Sequence, residues 1–397
     1  MKIAFSSTNI TPPYPCVLAG YERKSKSTGV LDNLYLKTCI WEINHETLIF
    51  IVIDCICITN DFATMIQKTL SSLYKIPYHH INIACIHTHS APTFFALPTQ
   101  VEIKEDIIWQ EVIKRTILAQ CESCMQHLIE AHIQYSETQI KDCYGNRNTK
   151  DGPCDKALQI LSFYHKDELI GSILSIAVHP TILNASNLKI TSDLLGNIRD
   201  EYEKQTKKDV MIWNGACGNV STRFYRNKSN EQELRACTKN IVEQIKPTTF
   251  MNMSEHISID SFLLRTDYDF NKDQWANEKL KTLNQDDKQE ASLYHRLINK
   301  QKMMNIHCEL PCHIYLFDSI MIVTIPGEIL AQASLYLKRR YPDYHVILIA
   351  YCNSYVSYIV PEEEYGKYFE TYVSITPKNT FEILMDNITK HIDKLLL

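Results

Sequence analysis

The sequence predicts an α/β fold of mixed β-sheets flanked by helices. Three observations carry that expectation. Branched apolar runs of strand length alternate with stretches of helical spacing, no Gly/Ser-rich or Pro-rich linker divides the chain, and several strand-like runs end in polar residues.

In chain order, residues 34–58 read as two strands joined at Asn44-His45-Glu46. Residues 59–75 have helical spacing, and a short strand covers 81–86. A long helical pattern spans 103–131, a strand 133–141, and a polar loop begins at Gly145-Asn146-Arg147-Asn148. Residues 157–163 and 169–178 read as a hairpin. Helix 194–206 leads to strand 209–213 and the small-residue turn from Asn214 to Asn219, and helix 230–245 follows. Strands are expected around 255–265, a charged helical flap over 270–305, strands near 313–325 and 345–350, and a helix over 328–340. One large domain over residues 1–397 is the economical reading.

Composition excludes several classes. With 45% apolar and 22% charged residues the chain buries a substantial core. A formal charge of −5 and the lack of a dense Lys/Arg stripe argue against nucleic acid as a partner. The most apolar run, Leu48 to Ile58, contains Asp54 and is far too short for a transmembrane segment. The first ten residues carry no apolar signal region, so a cytoplasmic location is expected and the 14 cysteines are read as reduced thiols. Cys55/Cys57, Cys121/Cys124 and the group His307-Cys308/Cys312-His313 are weak zinc motifs, better explained as buried strand or helix residues. Oligomeric state is not legible.

The chemistry gathers where strands end. The run His87-Thr88-His89-Ser90-Ala91-Pro92 follows strand 81–86, and alternation on a strand would send both imidazoles to one face. Strand 169–178 ends in His179, strand 209–213 in the turn leading to Ser221, strand 319–325 in Pro326-Gly327-Glu328, and strand 345–350 in Asn353-Ser354-Tyr355. Ligands sit at such exits in helix-flanked sheets. Two imidazoles, a carboxylate and a phenol form an oxygen/nitrogen set suited to zinc. Each residue also has a plain structural reading: Glu328 as a helix cap, Ser221 as a turn cap, Arg147 in a surface ion pair, Tyr365 as a packed ring.

Taken together the motifs resemble the neutral (alkaline, non-lysosomal) ceramidases over nearly the whole chain. Asn9-Ile10-Thr11-Pro12-Pro13, Gly20-Tyr21 and Gly29 with Asp32 match that family's start. His87 to Pro92, Asn146-Arg147-Asn148, Val178-His179-Pro180-Thr181, Ser192-Asp193 and Asn214 to Ser221 follow in order. Pro326-Gly327-Glu328 and Asn353 to Tyr358, continuing through Glu363-Glu364-Tyr365 to Glu370, complete the series.

The resemblance implies a zinc ion held by His87, His179, Glu328 and Tyr355. It also implies catalytic or substrate-binding roles for His89, Arg147, Ser221 and Tyr365. The expected activity is zinc-dependent hydrolysis of a linear amide, N-acylsphingosine or a related N-acyl amine, by metal-activated water. Ala91, Cys217 and Asn219 depart from the family's motifs, and the C-terminal β-sandwich domain of typical members is not expected here. A cytosolic amidase, acyl-transfer or cyclising enzyme acting on a small non-lipid intermediate is the alternative, and an inactive binding or scaffold homologue a second. A Ser221–His–Asp193 triad is a further possibility, although the turn lacks the Gly-x-Ser-x-Gly elbow.

Overall fold

The computed structural model describes residues 1–94, 106–246, 251–252, 256–303 and 305–397. Three sheets dominate. The first runs Ile81–Cys85, Glu46–Ile53, Tyr35–Ile43, Lys2–Asn9, Ile129–Glu130 in spatial order. The second runs Asp209–Asn214, Glu168–Ile176, Ala157–His165, His132–Gln139, Met251–Asn252. The third runs Ile257–Asp269, Asn305–Phe317, Ile320–Thr324, His345–Ile349.

All three share one plan. Antiparallel strands lead to one parallel pair at the edge: Glu46–Ile53 with Ile81–Cys85, Glu168–Ile176 with Asp209–Asn214, and Ile320–Thr324 with His345–Ile349. These paired strands are almost wholly buried, which is why their sequences are near-continuous apolar runs rather than alternating ones. Parallel neighbours end side by side, so each pair delivers two loops to one place.

The sheets meet in an aromatic cluster. Trp41 lies 5.4 Å from Phe163, 5.3 Å from Phe317 and 6.5 Å from Trp213, ring centre to ring centre, while Phe50 lies 5.2 Å from Trp213 and 5.8 Å from Tyr315. A fully buried ion pair, Arg199 Nη1 to Asp54 Oδ1 at 2.7 Å, ties helix Asp193–Thr206 to the strand exit after Ile53. Helices Asn60–Tyr74, Ile107–Gln126, Glu231–Gln244 and Gln332–Arg340 cover the outer faces. No helix among the described residues is long and apolar enough to cross a membrane.

The α/β expectation holds, with local corrections. Helix 328–340 begins only at Gln332; Glu328 instead opens a two-residue strand, Glu328–Ile329, paired in parallel with Tyr358–Ile359. The expected strand near 313 is the end of a 13-residue strand, Asn305–Phe317. The flap contains helices Gln274–Thr282 and Lys288–Lys302. The C-terminal helix Thr380–Leu395 has no counterpart in the sequence reading. Residues 103–105 of the first long helical pattern lie outside the described residues. All 14 cysteines are free thiols, and His307 and His313 sit on one strand with His307 exposed and His313 buried, so they close no site.

Candidate metal centre and its surroundings

The exits of the three parallel pairs bring His87, His179 and Glu328 together. Strand Ile81–Cys85 stops before the histidines, so strand alternation is not what aligns them. His87 adopts a left-handed backbone conformation, φ 70°. Its amide donates to Cys55 O at 3.0 Å and its ring Nδ1 lies 2.7 Å from Ile56 O. His179 is held alike: its amide donates to Val220 O, and Nδ1 lies 2.7 Å from Cys217 O.

These two carbonyl contacts fix the tautomers. Nδ1 carries the hydrogen, and each Nε2 presents its lone pair inward. The Nε2 atoms of His87 and His179 face the same Glu328 oxygen, Oε2, at 3.3 and 3.0 Å. Tyr355 donates its hydroxyl to the other oxygen, Oε1. His87, His89 and His179 bring ring nitrogens within 4.8 Å of one another. Acceptor therefore faces acceptor at the centre, an arrangement that a cation resolves. The donor set, nitrogen and oxygen with orienting carbonyls behind the imidazoles, fits zinc.

The electrostatics agree. Burial would raise the Glu328 carboxyl, but positive charge on the facing His87 and His179 imidazoles outweighs it and holds Glu328 well below the usual carboxylate range, so the site calls for positive charge where those Nε2 atoms meet the carboxylate. Burial, with Arg147 nearby, pushes His179 down to about 4. His89 is driven well below the ordinary histidine value by burial and the two neighbouring imidazoles, so it is neutral at physiological pH.

His89 lies at the mouth of the cluster. Its Nε2 is 3.3 Å from His87 Nε2, its buried Nδ1 has no partner, and its ring packs 4.9 Å from Tyr21. Gly20, at φ 85°, makes room for it: a Cβ there would stand 2.4 Å from the His89 ring. At Gly327, φ 95°, a Cβ would meet Ser357 O at 2.6 Å, the carbonyl that accepts from the Glu328 amide at 2.8 Å.

Arg147 reaches the cluster through Tyr358. Its Nε donates to Glu370 Oε1 at 2.9 Å and its Nη2 to Tyr358 Oη at 3.0 Å, and the Tyr358 ring stacks 6.4 Å from His179. Asn148 holds the other Glu370 oxygen at 3.1 Å. Burial keeps the Tyr358 phenol well above its ordinary value, so it stays protonated with a hydrogen to give. Tyr358 and Glu370 carry no role in the sequence reading; the signal that points to them is their place in the stretch that follows Tyr355.

Ser221 and Tyr365 stand differently. Ser221 lies on the short strand Val220–Ser221, paired with Gly145–Asn146 just before Arg147, and its Oγ accepts from the Arg223 amide at 3.1 Å. Asp193 is occupied by the backbone amides of Ile182, Leu183 and Leu194, so nothing in its hydrogen bonding orients an imidazole for a serine triad. Tyr365 donates to Asp273 Oδ2 at 2.9 Å and packs its ring against Trp275, 5.8 Å away. It helps to line a cavity of about 690 Å³ with Tyr268, Lys272 and His307, and no residue of the histidine cluster lines that cavity. A smaller cavity, about 310 Å³, abuts Tyr355; Cys57, Ile58, Ile306, Val356 and Ile375 supply apolar walls, with Asn60, Asp61 and Glu309 also present.

Comparison with known proteins agrees with this architecture. Residues 2–230 match the family model described as neutral/alkaline non-lysosomal ceramidase, N-terminal. The neutral ceramidase of Drosophila melanogaster is 24% identical over 236 residues, which cover 54% of this chain and 34% of that protein. The match thus spans about a third of the curated relative's length. The crystal structure of neutral ceramidase from Pseudomonas aeruginosa aligns with a TM-score of 0.78 at 16% identity, covering 98% of this chain and 73% of that one. A ceramidase complexed with C2 aligns at 0.77 and 15% identity, covering 98% and 74%. The fold is shared throughout, and more than half of the sequence fits the family model: the chain belongs to the neutral/alkaline non-lysosomal ceramidase family.

Proposed function

We propose that this protein is a zinc-dependent amide hydrolase acting on an N-acylsphingosine or a related N-acyl amine. The observation that carries the reading is the convergence of the His87 and His179 Nε2 lone pairs on one oxygen of Glu328, with Tyr355 on the other. His87, His179, Glu328 and Tyr355 would hold the ion. Zinc supplies a Lewis acid that polarises the amide carbonyl and lowers the pKa of a nearby water toward about 7.

The chain's own groups do the rest. Neutral His89 takes the proton released as water adds to the carbonyl and returns it to the leaving nitrogen. Tyr358, accepting from Arg147, has its O–H free to point at the developing oxyanion. Glu370 holds the Arg147 guanidinium in that orientation, bonding it through Nε and Nη2. The partly apolar cavity beside Tyr355 suits an acyl chain.

The test is cleavage of a fluorescent N-acylsphingosine by purified protein, with zinc measured on the same sample. Cleavage abolished by a chelator and restored by zinc supports the reading. Full zinc with no cleavage of any N-acyl amine would overturn it.

A further inference from the structure

Tyr351 stands just beyond the end of strand His345–Ile349 and is fully buried. Its backbone is left-handed, φ 54°, a conformation unfavourable for so large a side chain unless its neighbours hold it there. Those neighbours are the strand exits of the histidine cluster. The Tyr351 ring lies flat against the His87 imidazole, with 4.1 Å between centres and 20° between planes. Its hydroxyl is 3.1 Å from Cys217 Sγ, and the carbonyl of Cys217 is the one that aims His179. Its amide donates to the carbonyl of Gly327, which precedes Glu328, at 3.2 Å. Its own carbonyl accepts from the amide of Cys85, the last residue of the strand that leads to His87, also at 3.2 Å.

Ring, hydroxyl and backbone of one residue thus reach the three exits separately. The division matters because a single hydrogen bond aims a ring without fixing its tilt. With only Ile56 O before Nδ1, the His87 imidazole remains free to pivot about that contact; a flat aromatic face against it removes the freedom. The hydroxyl then couples this face to the second histidine. Cys217 carries the thiol on its side chain and the aiming carbonyl on its backbone, so a shift of Tyr351 is passed to the loop that seats His179. A phenylalanine in place of Tyr351 would fill the same space and stack on the same imidazole, but would leave the buried thiol without its phenol partner.

We infer that Tyr351, bonded to Cys217, is a positioning residue that fixes the mutual angle of the His87 and His179 imidazoles, and with it how tightly the cluster binds a divalent transition metal. The inference deepens the zinc reading above, on which its consequence for the ion rests. The alignment of the two rings stands on the contacts of Tyr351 alone.

The experiment compares full-length wild type, Tyr351→Phe, Cys217→Ala and the double variant. Metal-free protein carrying isotope-labelled histidine is observed by NMR. It is then loaded with cobalt(II), whose visible absorption reports ligand geometry, and zinc affinity is measured by competition with a chelator. Tyr351→Phe and Cys217→Ala are each expected to displace the Nδ1–H resonances of His87 and His179, to alter the cobalt bands alike, and to weaken zinc binding about tenfold. The double variant should be no worse than either single one, because both break the same contact. Tyr351→Leu, which also removes the stacked ring, should weaken zinc further, by about 100-fold in all. A contact that only stabilises the fold would lower the melting temperature and leave resonances, spectrum and affinity at their wild-type values. That result, or strictly additive effects in the double variant, would overturn the inference. Failure of wild type to take up either ion would overturn the zinc reading instead, and the histidine resonances would still decide the role of Tyr351.

Discussion

The Nε2 atoms of His87 and His179 address a single oxygen of Glu328 at 3.3 and 3.0 Å, although the two histidines follow strands of different sheets. Each ring is aimed by a carbonyl behind it, Ile56 O for His87 and Cys217 O for His179, so the pair is set before any ligand arrives.

Removing one of these groups should therefore remove the ion. His87→Ala and Glu328→Gln are each expected to lower zinc content below about a tenth of wild type and to abolish amide cleavage with it. Metal analysis beside a cleavage assay checks this, and a variant that kept both would show that the ion sits elsewhere.

Gly20 offers a cleaner cut between holding metal and using it. A methyl group there would stand 2.4 Å from the His89 ring, so Gly20→Ala displaces His89 but leaves His87, His179 and Glu328 in place. Zinc content should stay near wild type while kcat falls roughly 100-fold, the usual cost of misplacing a proton-transfer group. Loss of both together would mean that the strand exits themselves had shifted.

The two tyrosines should part company. Tyr358→Phe keeps the ring over His179 and removes the hydroxyl that Arg147 holds, so kcat is expected to fall by about 10- to 100-fold with little change in stability. Tyr365→Phe loses a bond to Asp273 in the flap and should cost about 1 kcal/mol of stability with activity within about twofold. Denaturant titration and steady-state kinetics distinguish them; the reverse pattern would return Tyr365 to the substrate.

Ser221 tests the mechanism. Its Oγ accepts from a backbone amide, and Asp193 has its oxygens on backbone amides instead of an imidazole. Ser221→Ala is expected to retain activity within about tenfold. A drop of roughly a thousandfold or more, with zinc still bound, would identify an acyl-serine route instead.

Acid should weaken the fold through His313. Burial, with His79 and His80 nearby, pushes this histidine down to about 3, so the native state keeps it neutral where the unfolded chain takes a proton. Its contribution is whole above about pH 6.5 and is lost progressively as pH falls toward 3; near pH 5 the loss is about 2 kcal/mol. His313→Asn retains a donor toward Asn82 and should flatten the dependence of unfolding free energy on pH between about 7 and 5. An unchanged slope would assign the acid sensitivity to other groups.

How far the sequence reached differs between scaffold and site. The sheet strands were legible because both faces of the parallel pairs are buried, which turns them into apolar runs bounded by polar exits. The positions of His87, His179 and Glu328 followed from those exits. Their aim did not: the left-handed turn at His87 and the two-residue strand at Glu328 depend on contacts with residues dozens of positions away. The surroundings of Tyr365 were hidden for the same reason, since Asp273, its partner, is 92 residues distant on the flap. The partners of Tyr358 emerge only once helix, strand and loop are packed.

The shared plan of the three sheets would make a metal centre here a keystone. The ligands proposed for it come from residues 87, 179, 328 and 355, and each exit is correctly placed only when its own sheet is docked on the others. A partly folded chain would offer at most scattered imidazoles, so high-affinity zinc capture should be among the last events of folding. Once captured, the ion would clasp the sheets against one another, and its free energy of binding would be felt as mechanical cohesion across the whole frame.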